Sequence, residues 1–169
     1  MADPLARYVQ QDRTIASSVL DRLLDSEPDR PTDQFMSISA QTRQLRECIR
    51  RDLEALLNTR RSPVSPPQQM SELSDSALSY GVDGFVSANL VTDEAKIALA
   101  YALERRIART ETRLANVHVT ILKNRTTGER TLKMRIEASF RLQEGMPPIH
   151  FETTIDPSSQ RFSIEAANE

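Results

Sequence analysis

Apolar residues along this chain follow a helical period in its first two thirds and a period of two after residue 113. Residues 14–25, TIASSVLDRLLD, place Ile15, Val19 and Leu23 on one i, i+4 row beside Leu20 and Leu24, which predicts a short amphipathic helix. Such a helix, about three turns long, is marginal alone in water and has to dock on something. A break follows at SEPDRPTD, with Pro28 and Pro31. The next helix is expected over 39–60, capped by Ser39. Its buried side is Leu45, Ile49, Leu53 and Leu56 with Cys48 and Leu57, and Arg43, Arg46, Arg50, Arg51 and Glu54 lie opposite. Cys48 reads as a small buried hydrophobe. Pro63, Pro66 and Pro67 stop this helix and make residues 62–70 a linker. In the irregular stretch SDSALSYGVDGFV, Gly81 and Gly84 are punctuation, and Tyr80, Val82 and Phe85 are candidates for the core. A further helix is expected over 92–111. Thr92 caps it, Asp93 and Glu94 meet the positive end of its dipole, and Leu99, Leu103, Ile107 and Ala100 form its buried stripe.

From Leu114 onward Val117, Val119 and Ile121 alternate with His118, Thr120 and Leu122. After the turn sequence NRTTGE, Leu132, Met134, Ile136, Ala138, Phe140 and Leu142 alternate with charged and polar residues. After EGMPP, Ile149, Phe151, Thr153 and Ile155 do the same. The expected fold is therefore α+β: a small three-stranded antiparallel sheet, a meander, covered on its apolar face by the two main helices, with an additional N-terminal helix. Residues 1–35 are expected as an N-terminal arm, 36–160 as a single domain containing the linker, and 161–169 as a C-terminal tail.

Composition narrows the function. The chain has 169 residues, is 38% hydrophobic and carries 22 basic against 24 acidic side chains, a net charge of −2, which disfavours nucleic acid as a partner. One cysteine and two histidines exclude an internal disulfide and a Cys/His zinc site, so no metal or cofactor is expected. The longest apolar run, Ile97 to Leu103, is far short of the roughly 20 residues of a membrane helix, and the first ten residues lack a secretory core, so a cytoplasmic location without membrane insertion is expected. Nineteen of the 22 basic residues are arginine, which suits interfaces and equally suits a GC-rich genome.

No Gly-rich phosphate loop, HExxH, GxSxG or CxxC is present, and no catalytic residue is nominated. His118 and His150, on the polar phase of the first and third strands, read as solvated strand residues. Arg105, Arg106 and Arg109 form the densest basic group and read as a solvated helix face in preference to a phosphate site. Two spots stand equally as local caps or as contacts. One is the donor-rich tip Asn58, Thr59, Arg60 and Arg61 in LLNTRR. The other is Glu111 and Arg113 in TETRLANV, where two residues of separation means a turn presents them separately or the pair grips something outside.

The ordered set LDRLLD at 20–25, LLNTRR at 56–61, SYG at 79–81 and ETRL at 111–114, leading into VHVTI, resembles the TssE-type proteins of type VI secretion, relatives of the small baseplate wedge protein of contractile phages. The resemblance covers about residues 15 to 156; the family's junction motif is Glu-Pro-Arg-Leu, and Thr112 stands here in place of its Pro. It implies a non-enzymatic structural part of a secretion baseplate, assembled at the inner face of the cytoplasmic membrane. Its implied partners are wedge proteins of the TssF, TssG and TssK type and contractile sheath proteins of the TssB and TssC type. The implied partner-binding residues are Asn58, Thr59, Arg60, Arg61, Glu111, Arg113 and Leu114, and the Arg113→Glu variant is expected to lose wedge assembly and stay folded. An unpaired sheet edge gives a route to the sheath, by accepting strands from a sheath subunit. Two rival readings are a soluble anti-adaptor of the same fold that binds a response-regulator-like protein, and a cell-wall glycosidase acting through paired carboxylates.

Overall fold

The computed structural model describes residues 18–24, 28–29, 37–64, 67, 69–70, 72–73, 76–84, 92–123, 131–141, 147–156 and 159–166. The turn sequences around 124–130 and 142–146, Phe85, and residues 14–17 of the predicted first helix lie outside them.

Three helices form where the capping chemistry and apolar spacing coincide. The short α1 (Val19–Leu23) is closed by a capping box: Ser18 accepts the Asp21 N–H, and the Asp21 carboxylate accepts the Ser18 N–H. Helix α2 (Ile38–Asn58) is capped two residues earlier than expected, because Ser37 and not Ser39 accepts the Ala40 N–H. It buries Leu45, Ile49, Leu53, Leu56 and Leu57. Helix α3 (Asp93–Thr110) is capped by Thr92 as expected and buries Ala100, Leu103 and Ile107, with Leu99 packed partly against the same core.

The sheet has four strands, not three: β1 (Leu114–Leu122), β2 (Leu132–Phe140), β3 (Ile149–Asp156) and β4 (Arg161–Ala166), all antiparallel and in the order β1-β2-β3-β4. The stretch expected as a tail from residue 161 is thus the fourth strand, with Phe162 and Ile164 buried between exposed Arg161, Ser163 and Glu165. A turn ending at Gln160, with a φ of 57°, reverses the chain into it. Asn116, with a φ of 52°, makes a β-bulge in β1. The bulge shifts the two-residue phase, so Leu114 and Val119 both face inward. Helices α2 and α3 cover the apolar face side by side, α2 over β4 and α3 against β1.

Candidate functional site

The turn after α3 brings Glu111 and Arg113 face to face, which neither sequence alternative anticipated. Glu111 is the helix C-cap. Its Oε1 accepts from the Arg113 N–H at 3.2 Å and from Nε at 2.7 Å, and its Oε2 lies 2.6 Å from Arg113 Nη2. Such a bidentate fork on a carboxylate is the strong form of an ion pair. The same Nη2 reaches Asp52 of α2 at 2.6 Å, and Nη1, which makes no hydrogen bond among the described residues, lies 3.5 Å from Asp21 of α1. Arg51 completes the cluster by donating to both Asp21, at 2.7 Å, and Asp52, at 2.9 Å. Three carboxylates and two guanidiniums therefore tie α1, α2 and the α3–β1 turn together.

The cluster is shielded enough to shift its own titrations. Burial opposes the charge on Asp21, yet hydrogen bonds from Ser18 and Arg51 outweigh it and hold this carboxyl well below the usual range. Burial, followed by the hydrogen bond with Asp21, pushes the Cys48 thiol up to about 11. Cys48 is half-buried beside this carboxylate, not the plain core hydrophobe expected. The Glu111 bonds, against burial and with help from Asp52, keep Arg113 firmly protonated. Burial and then the Asp52 and Glu111 carboxylates raise the Tyr80 phenol; Tyr80 sits at the cluster's margin, exposed and not in the core.

At the tip of α2, Asn58 and Thr59 are exposed yet bond to the chain's own backbone. Asn58 Nδ2 donates to the Glu54 and Phe162 carbonyls, and its Oδ1 accepts the Phe162 N–H, each at 2.9 Å. One side-chain amide thus takes the place of a neighbouring strand along β4. Arg50 adds a bond to the Ile164 carbonyl two residues on, at 3.2 Å. Thr59 turns its hydroxyl back to the Ala55 carbonyl, while its own carbonyl accepts the Val82 N–H; Arg61 N–H then donates to the Val82 carbonyl. Residues 59–61 and 82 form a parallel bridge, and Gly81, with a φ of 97°, lies against it where a Cβ would collide with the Thr59 carbonyl oxygen. Arg60 is exposed over Gly84, and Arg61 reaches Asp83 at 3.4 Å. Leu114 is fully buried in the core.

The SYG stretch therefore links the two groups of candidate residues, through Tyr80 to the charged cluster and through Gly81 to the α2 tip. Asp21, quoted only within LDRLLD, Arg51, read only as part of a polar helix face, and Asp52 and Phe162 were not nominated as site residues. Ser18 and Asp21 are spaced as a capping box, a local sign of the first of them. His118, Glu137 and His150 stand in one cross-strand row, with Glu137 beside His150 at 3.6 Å and Glu104 beside His118 at 3.1 Å. Among the described residues no helix is long and apolar enough to cross a membrane.

The profile of a family described as baseplate wedge protein gp25 matches residues 43–145, well over half of the chain. That stretch contains the α2 tip, the Gly81 turn and the Glu111–Arg113 turn. No curated protein matches the sequence.

Proposed function

The chain belongs to the gp25 family of baseplate wedge proteins, and from that premise we propose that it is the TssE-type wedge component of a type VI secretion baseplate, without an enzymatic role. It joins wedge proteins of the TssF, TssG and TssK type and gives the first ring of TssB- and TssC-type sheath proteins its docking point, at the cytoplasmic face of the inner membrane.

The observation that carries this reading is the way α1 is held. Its one acidic side chain in contact with the domain, Asp21, is 4% exposed in the charged cluster, while Val19 and Leu23 are 76% and 75% exposed and Leu20 and Leu24 also face solvent. A helix anchored by its polar side with its apolar side outward is a preset surface for another protein. The Glu111–Arg113 pair acts as the anchor for that surface, and the exposed Arg60 flanks the second contact region at the α2 tip.

The sheet supports the sheath half of the reading. Asn58 and Arg50 occupy the outer edge of β4, which leaves β1 as the edge for strand addition. The Val119 N–H points away from β2 and is held by Glu104 at 3.1 Å; by the alternation of antiparallel strands, Ile121 presents its backbone to the same side.

Charge reversal at Arg113 does not separate folding from assembly, because it places a fourth carboxylate among Asp21, Asp52 and Glu111. The better test is the Val19→Asp/Leu23→Asp double variant, expressed in the native cells and purified by tag. Wild-type chain should bring wedge and sheath proteins in stoichiometric amounts; the variant should lose the wedge proteins and keep its thermal transition. Co-purification of a single regulatory protein instead, or an unaffected wedge complex in the variant, would sink the proposal.

A further inference from the structure

Helix α3 packs against β1, the outermost strand of the sheet. A helix with its side chains is about 10–12 Å across and neighbouring strands lie about 4.8 Å apart, so a helix seated on an edge strand overhangs it by about one strand's width. At the opposite edge Asn58 and Arg50 of α2 bond to the backbone of β4. At the β1 edge Glu104 reaches down from α3, and its Oε2 lies 3.1 Å from both the Val119 N–H nitrogen and His118 Nδ1.

Glu104 also fixes which side of α3 overhangs. Ile97, Tyr101 and Glu104 stand at i, i+4 and i+7 and share one helix face. Because Glu104 is bound to the outer edge of β1, Ile97 and Tyr101 belong to the outer flank. They are 48% and 59% exposed, against 2% for Leu103 and 0% for Ile107 on the side that faces the sheet. The Glu104–Val119 contact means that the chain doubles back at the turn after α3. Tyr101 and Ile97 therefore lie along the later part of β1, beside Ile121.

Resting on the reading of β1 as the edge for strand addition, we propose that this overhang selects the strand that is added. The occupant is an extended segment of a partner protein, antiparallel to β1, with apolar side chains at positions i and i+2 against Ile97 and Tyr101 and a lysine or arginine at i+4 against Glu104. Same-side residues of a strand are about 6.8 Å apart, and the three helix positions are separated by about 6 and 4.5 Å along the axis, so alternate residues meet them in that order. An incoming carbonyl takes over the Val119 N–H, and the displaced Glu104 carboxylate is matched by the basic side chain. A second copy of this chain does not fit: pairing β1 with β1 would bring two Glu104 carboxylates together and crowd two α3 helices into the space of one strand. An apolar helix would cover Ile97 and Tyr101 and leave the outward backbone of Val119 and Ile121 without partners.

The test places an aromatic photo-crosslinking amino acid at Tyr101, and separately at Thr120 on the open face of β1, in the full chain expressed in its own cells, and sequences the crosslinked peptides. Both positions are exposed. Both should capture one segment of another protein, with Tyr101 attached to its apolar phase and a lysine or arginine two residues further on. The yield at both should fall at least tenfold in Ile97→Asp and several-fold in Glu104→Gln, which keeps an acceptor for the Val119 N–H, with the thermal transition in place. A captured segment without that pattern, a second copy of this chain or residues 85–91 of the same chain would overturn the proposal. Capture at Thr120 that is indifferent to Ile97→Asp would overturn it and leave strand addition standing, whereas no capture at either position would overturn both.

Discussion

Replacing Arg113 with methionine keeps the apolar stem and deletes the guanidinium from among three carboxylates. The side chain is 15% exposed, and its fork is shared by Glu111, 10% exposed, and Asp52, 28% exposed. Removing one member of a buried ion pair costs about 3–5 kcal/mol, because the abandoned charge stays desolvated. Asp52 keeps some water, and Asp21 and Asp52 both keep Arg51, which places this variant at the lower end, about 3 kcal/mol. At roughly 2–4 °C per kcal/mol for a chain of this size, the thermal midpoint should fall by about 6–12 °C. Urea unfolding should show the same loss as a shift in midpoint at constant slope. Adding Glu111→Gln to the methionine variant should restore part of the loss, since the amide leaves no charge to neutralise, with a coupling of about 0.5–3 kcal/mol between the two sites. An exposed ion pair is worth only about 0–1 kcal/mol. A methionine variant that loses less than about 1 kcal/mol would therefore refute the cluster as a structural fastening and return Arg113 to the role of a surface contact.

Asp21→Asn should destabilise the chain at neutral pH. Because the folded carboxyl titrates below its unfolded value of about 3.9, the gap between wild type and variant should be constant above about pH 5 and close as the pH falls below about 4, as read by urea midpoints across pH. Cys48, with its thiol at about 11, should react with iodoacetamide at pH 8 about two orders of magnitude more slowly than a free cysteine, and Asp21→Asn should speed it by removing the hydrogen-bonded carboxylate. Asn58→Ala should cost about 1–2 kcal/mol, at the modest end because Asn58 is partly wetted, and hydrogen exchange at the Phe162 amide should accelerate selectively.

Legibility in the sequence tracked the range of the forces involved. Strands β2 and β3 keep an unbroken period of two, and α2 and α3 carry their apolar stripes within a few turns, so local pattern sufficed for them. Strand β4 offers only Phe162 and Ile164 over six residues, and much of its definition comes from the Gln160 turn and from Asn58, 104 positions away. The bulge at Asn116 reverses the phase of β1, and Leu114, which the resemblance offered as a contact residue, is core. Arg51 and Asp52 resemble any solvated helix face until Asp21 and Arg113 arrive, 30 and 61 positions distant. Glu111 and Arg113 were singled out in the sequence, but their mutual pairing depends on a turn geometry that spacing alone does not reveal.

The amide of Asn58 gives the sheet a direction of growth. A side chain that reproduces both backbone bonds of a missing strand terminates the ladder at β4 from within the same molecule, at an effective concentration no second chain can match. At the far side the Glu104 carboxylate holds one N–H of β1, a bond that an incoming backbone can replace in kind. Two copies of this chain consequently cannot polymerise through successive sheets, since each has a blunt end and a receptive one. What remains is a single extension per molecule, always on the β1 flank.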